Sequence, residues 1–172
     1  MNEKQKEKYA KAKAEAVEKL KAYDNLPELT GPAVPGDQYF IPNNTGVTAV
    51  VLYSHPDDAN TLFVVPGDWI NETLVGTLDV AVPEDGLFEA VTLRCGIGNW
   101  ISRQGLESCK RHKLRIQPEF IKQGRKLLAD LVRGNSIPKG RSDDDPELWE
   151  WSEEIEHDME ESLSTLDGIR PL

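Results

Sequence analysis

Two apolar runs, Val47-Thr-Ala-Val-Val-Leu-Tyr-Ser54 and Thr61-Leu-Phe-Val-Val65, flank the hexapeptide His55-Pro-Asp-Asp-Ala-Asn60. β-Branched and aromatic residues fill both runs and the hexapeptide has turn composition, so the unit reads as two strands joined by a tight connection. Further strand-like runs occur at about Asp37–Ile41, Leu74–Val82, Leu87–Cys95 and Asn99–Ser102, punctuated by Pro42–Gly46, Pro66–Asp68 and Pro83–Gly86. Strands this short with connections this brief pair antiparallel, because parallel strands need crossovers of about a dozen residues. The expected fold class is therefore α+β, mainly β. Residues 37–134 should form a small, partly open antiparallel β-barrel or bent sheet, capped by one amphipathic helix.

That capping helix is expected over residues 118–133. Pro118 suits the first helical position, Glu119 follows in the first turn, and Gly134 suits the residue that ends a helix. Phe120, Ile121, Leu127, Leu128, Leu131 and Val132 share one face. A second helix is expected at the N-terminus, over residues 1–23, where Ala and Lys dominate and Gly and Pro are absent. Its apolar stripe is thin: Tyr9, Ala12, Ala16, Leu20 and Tyr23. Such a stripe docks on a core or on a partner. Residues 24–36, with three prolines, form a linker, and residues 135–172 a polar hinge and acidic amphipathic tail. Within the tail Leu148, Ile155, Met159, Ser162 and Leu166 share one side, flanked by Trp149 and Trp151.

A length of 172 residues suits one domain. No apolar run approaches the roughly 20 residues of a bilayer span, so no membrane partner is expected. Met1 is followed by a charged stretch without an apolar export core, which predicts a cytoplasmic protein with Cys95 and Cys109 reduced. The net charge of −10 is unevenly spread. Residues 1–23 carry +3, residues 24–93 carry −11 with no Lys or Arg, residues 94–141 carry +9, and residues 142–172 carry −11. Either the blocks neutralise one another within the fold, or the basic block binds an anion that the acidic tail masks. The first reading is favoured.

Val34-Pro-Gly-Asp37 recurs as Val65-Pro-Gly-Asp68, which reads as repeated turn chemistry. His55-Pro-Asp-Asp58, following an apolar strand, resembles the signature of zinc-dependent deacetylases acting on N-acetylglucosaminyl compounds. The resemblance implies His55 and Asp58 as metal ligands and Asp57 as general base. It covers about ten residues, and Thr61–Val65 then reads as a strand where that family continues into a glycine-containing segment and a helix. Ordinary turn composition accounts for the same residues. Cys109 and His112 have zinc-ligand spacing, but Cys95 lacks a near partner and four ligands are needed. No cofactor or metal is expected.

The stretch Arg94-Cys-Gly-Ile-Gly-Asn-Trp-Ile-Ser-Arg-Gln104 is the hardest to explain as scaffold alone. Gly96 and Gly98 allow a tight turn or close backbone approach, around which Arg94, Trp100, Arg103 and Gln104 can gather, with Asp68 and Trp69 adjacent. Together with Trp149 and Trp151 these residues form the candidate partner-binding surface. The sequence thus reads as a non-enzymatic protein-interaction module, an adaptor or regulator. Two alternatives are weaker. One is a small hydrolase, either metal-dependent at His55–Asp58 or a barrel ribonuclease, small toxin ribonucleases being a loose analogy in size and in the Pro-Gly-Asp strand start. The other is a nucleic-acid binder using residues 94–141 under control of the tail, against which the pI of about 4.8 counts.

Overall fold

Strand β3 (Thr61–Asp68) organises the molecule, and all eight of its residues are buried. In this computed structural model residues 2–42, 44–69, 78–136, 154, 157–164 and 166 are described. On one side β3 pairs antiparallel with β2 (Asn44–Ser54), which pairs in turn with β1 (Gln38–Ile41). On its other side two short strands share the edge. Asp68 and Gly67 pair with β5 (Val91–Arg94), and Thr61 to Val64 pair with β6 (Asn99–Ser102). A single 3₁₀ turn, Cys95–Ile97, bends the chain between them. β4 (Asp79–Val82) completes the sheet beyond β5.

The sheet is open, with strand order β1-β2-β3-β5-β4 and β6 beside β3, and is not closed into a barrel. Its class is α+β, but helices contain more of the described residues than strands, so the expected β predominance is corrected. α1 (Glu3–Asp24) and α3 (Pro118–Arg133) account for most of this, with a short α2 (Arg103–Glu107) capped by the Ser102 hydroxyl. α3 begins at its proline and ends at Gly134, whose φ of +72° is the left-handed conformation that glycine adopts without strain.

Apolar residues cover both faces of the sheet. Val50, Leu52, Phe63, Val65 and Leu93 pack beneath Ile121 of α3. α3 is also tied to β2 by polar contacts: Arg125 Nε donates to the Leu52 carbonyl (2.8 Å) and Tyr53 OH donates to the Arg125 carbonyl (3.1 Å). The opposite face, with Ala49, Val51, Leu62, Val64 and Ile101, packs against Leu106 of α2 and against Met159, Leu163 and Leu166. The last three belong to the tail, where residues 157–164 are helical. Asn44 Nδ2 donates to Ser162 Oγ (2.8 Å) and fixes that helix to β2. Part of the tail is thus one wall of the core. Leu148, Trp149, Trp151 and Ile155 lie outside the described residues.

The strand expected at Leu87–Cys95 is only Val91–Arg94, because Phe88 turns back onto Asp85 and Cys95 opens the 3₁₀ turn. Two other boundaries differ from expectation for physical reasons. Pro66–Asp68 continues β3 instead of turning, because β5 has bent away beside Val65 and Pro66 and leaves no ladder on that side for the missing Pro66 N–H to interrupt. β2 starts at Asn44, three residues earlier than expected, as Asn44 pairs back to Ile41 across an irregular register. Among the described residues no helix is long and apolar enough to cross a membrane.

Candidate functional site

Arg94 at the end of β5 is 1% exposed and holds two carboxylates. Its Nε and Nη2 donate to the two oxygens of Asp68 (2.7 and 3.2 Å), and Nη1 donates to Asp79 Oδ2 (2.7 Å). The side chains of both aspartates are also buried. Burial alone would lower the Arg94 pKa, but the hydrogen bonds and fields of Asp68 and Asp79 outweigh it and raise the value. The cluster joins β3, β4 and β5 at one end of the sheet. Asp68 and Arg94 do come together as the sequence suggested, but they face each other in the interior.

The other candidates divide between the two ends of β3. Trp69, directly after β3, is 39% exposed. Trp100 sits opposite Phe63, at least five residues back along the same strand and so more than about 15 Å away. Its ring meets the edges of Phe63 (5.2 Å) and His55 (5.0 Å). Arg103 is a staple: its Nε donates to the Ala59 carbonyl and its Nη1 to the Ala33 carbonyl, both at 2.8 Å. Gln104 is exposed beside it. Gly98 is required where it stands, because a Cβ there would lie 2.3 Å from the Phe63 ring. The Gly96–Gln104 segment is therefore a bend packed onto β3.

His55-Pro-Asp-Asp58 forms the β2–β3 turn. Asp58 Oδ1 accepts from the Asn60 N–H (2.9 Å) and Oδ2 from the Thr61 hydroxyl (2.7 Å), while His55 Nδ1 accepts from the Asp57 N–H (3.1 Å). These contacts are those of a local Asx turn. Among the described residues no group of three or more His, Cys, Asp and Glu is placed to hold a metal ion. Cys95 lies buried beneath α3, and burial pushes its thiol up to about 12.

Several members of the basic block are tied to the fold. Besides Arg94 and Arg103, Arg115 Nε donates to buried Asp37 Oδ1 (2.5 Å), and Arg111 Nε donates to Tyr39 OH (2.7 Å). Lys113 Nζ donates to the Asp24 carbonyl (2.8 Å). Asp37 and Asp68, the acids of the two Val-Pro-Gly-Asp repeats, adopt different backbones, one in a turn and one in a strand. What they share is burial against an arginine from residues 94–141. Two buried aspartates of the acidic block thus pair with arginines of the basic block, one of them, Arg94, itself buried.

The α1 stripe, expected from sequence to dock on a core or on a partner, borders a cleft that the sequence did not show. α1 has a complete capping box, with Asn2 Oδ1 accepting from the Gln5 N–H and Gln5 Oε1 from the Asn2 N–H, yet none of its residues is buried. Tyr9 and Leu20 are 65% and 64% exposed. The body holds α1 at its C-terminal end, where the Lys113 N–H donates to Tyr23 OH (3.1 Å) and the Tyr23 ring meets His112 edge-on. Further along the helix a single exposed Lys19–Glu84 ion pair (3.1 Å) reaches the β4–β5 loop. Between helix and sheet lies a half-open cleft of about 660 Å³, lined by Leu20, Tyr23, Phe40, Thr48, Trp69 and Phe88. It exists because α3 covers the Val50–Leu52 end of that sheet face and stops short of Phe40 and Thr48. The buried Thr48 hydroxyl at its floor has no hydrogen-bond partner among the described residues. Burial lowers the His112 pKa, and Nδ1 accepts from the Leu114 N–H (3.0 Å), so a neutral ring stands at the cleft wall.

Comparison with known proteins finds no matching family model, no matching curated protein and no matching solved structure.

Proposed function

We propose that the protein is a non-enzymatic protein-interaction module, an adaptor or regulator, that docks a protein partner through α1 and the cleft beside it. One observation carries this reading: a capped helix of 22 residues presents an apolar stripe that the body holds at Tyr23, while Tyr9 and Leu20 stay 65% and 64% exposed. Helices of this length are marginal in water without tertiary packing, so an uncovered stripe is a surface in search of a contact. The cleft adds aromatic walls, of the composition enriched where proteins bind one another. Trp69, at the cleft, belongs to this surface, whereas Trp100 and Gln104 lie at the far end of β3. The Trp149 and Trp151 stretch is a second contact of the same reading, tested by Trp149→Ala with Trp151→Ala.

The experiment is capture of partners by full-length protein and by Leu20→Glu. Leu20 is mostly exposed, so the substitution leaves the melting temperature unchanged while removing the apolar contact. Loss of a specific, nuclease-resistant complex supports the reading. Equal capture by both proteins rejects α1 as the docking element.

A further inference from the structure

We infer that the partner of α1 is the α1 of a second copy of this chain, paired antiparallel about a two-fold axis at Ala16. This inference rests on the interaction reading above and narrows it to one occupant. Its basis is the symmetry of the stripe. Tyr9, Ala12, Ala16, Leu20 and Tyr23 stand at offsets of −7, −4, 0, +4 and +7 from Ala16. An antiparallel pairing about that residue therefore sets Tyr9 level with Tyr23, Ala12 level with Leu20, and Ala16 level with itself. Every apolar residue meets another, which is the self-complementarity an isologous interface demands. The small residues lie at the centre, where two helix axes approach most closely, and the large ones at the ends.

Charge and space agree with this arrangement. Residues 3–13 of α1 carry five lysines and two glutamates, a net +3. In the antiparallel pair that half crosses the C-terminal half of the other helix and so reaches the mouth of the other copy's cleft. Glu84 and Glu89 line that mouth, in a stretch of sequence from 24 to 93 without a single Lys or Arg. Tyr9, exposed in one copy, comes to the Tyr23 end of the other copy's cleft, beside Phe40. A two-helix contact alone is small against the roughly 800 Å² per partner of a stable interface. The cleft walls supply additional surface, and the reciprocal contact doubles it.

The test is sedimentation velocity on the full-length protein over a concentration series, at low and high salt, with Ala16→Glu alongside. The expected result is twice the 19.3 kDa chain mass for the wild type. Ala16→Glu places two like charges on the axis and should weaken the dimer by more than about 100-fold, its melting temperature matching that of wild type diluted to the monomer. Ala16→Cys tests the register directly, because a residue on the two-fold axis meets its own copy. In a Cys109→Ala background it should cross-link covalently to a dimer with a short thiol-reactive linker, whereas Ala10→Cys and Ala14→Cys, off the stripe, should not. A monomer at every concentration overturns the inference, and so does a dimer that tolerates Ala16→Glu. If the protein is a monomer and Leu20→Glu still abolishes capture of another protein, the inference fails and the interaction reading stands. If it is a monomer and Leu20→Glu changes nothing, both fail.

Discussion

Replacing Arg94 by methionine should destabilise the protein strongly at neutral pH and progressively less as the solution is acidified. The guanidinium lies 2.7 Å from oxygens of both Asp68 and Asp79, and all three side chains are buried. At charge separations near 4 Å and an effective dielectric of about 20, each pair is worth about 4 kcal/mol of Coulomb attraction. Breaking a buried pair by deleting one partner typically costs about 3–5 kcal/mol, against a total domain stability of about 5–15 kcal/mol. An independent bound comes from proton uptake. A carboxyl group with an ordinary pKa of about 3.9 can be neutralised at pH 7 for about 4 kcal/mol and at pH 5 for about 1.5 kcal/mol. The sign follows from linkage. Without Arg94 two carboxylates stay buried with no counter-charge, a cost that proton uptake relieves, so the deficit of the variant shrinks as pH falls. Urea unfolding of wild type and Arg94→Met at pH 7 and pH 5 measures this. The difference between the proteins should be about 3–5 kcal/mol at pH 7 and shrink by about 1–3 kcal/mol at pH 5. Adding Asp68→Asn and Asp79→Asn should restore much of the loss, because no uncompensated charge remains buried. A loss under about 1 kcal/mol at pH 7, or one of equal size at both pH values, would refute the argument.

Gly98→Ala should cost about 1–3 kcal/mol, since its Cβ would enter the Phe63 ring, and Phe63→Leu should relieve part of that cost in the double variant; additive losses would show that the two sites do not touch. Native protein should react rapidly with a thiol reagent at Cys109 alone, because the Cys95 thiol is buried and pushed up to about 12; urea should expose both. Two rapid native thiols would contradict the placement of α3 over Cys95. The lowered His112 pKa predicts a loss of stability on acidification. The folded state binds fewer protons there than the unfolded chain, so the loss begins as pH falls through the unfolded value of about 6.5. His112→Gln should flatten the stability profile between pH 7 and 5, and an unchanged profile would assign that slope to other groups.

The sheet was legible in sequence because its strands are short, β-branched and punctuated by Pro and Gly, and α3 because Pro118 and Gly134 mark its ends. The layering was harder to read. Leu62–Val65 is continuously apolar, not alternating, which is the mark of a strand covered on both faces. That signal points to helices on two sides of an open sheet and away from a barrel. The second cover, Met159, Leu163 and Leu166, comes from the acidic tail, whose helical periodicity marks Met159, Ser162 and Leu166 as one side but not the sheet face they meet. The candidate surface was less legible still. Arg94, Asp68 and Arg103 carry charges in a segment with no obvious scaffold pattern, yet each is held by partners supplied from distant sequence. A linear chain does not show those partners. The contrast between a cation-free block and a basic block was the available clue, since interior Arg–Asp pairs must draw on both.

The same division of charge separates two responses to salt. Asp37 and the Arg94 cluster are buried, and pairs removed from solvent are screened little. The lysines of α1 and the Glu84 rim are exposed, so their contacts weaken once the Debye length falls to about 3 Å near 1 M salt. Fold and assembly therefore depend on different members of one charge pattern. High salt should separate whatever α1 docks onto while leaving the sheet and its two helical covers intact. A melting temperature that fell together with complex dissociation would mean that α1 docking, although no residue of α1 is buried in the body, stabilises the core.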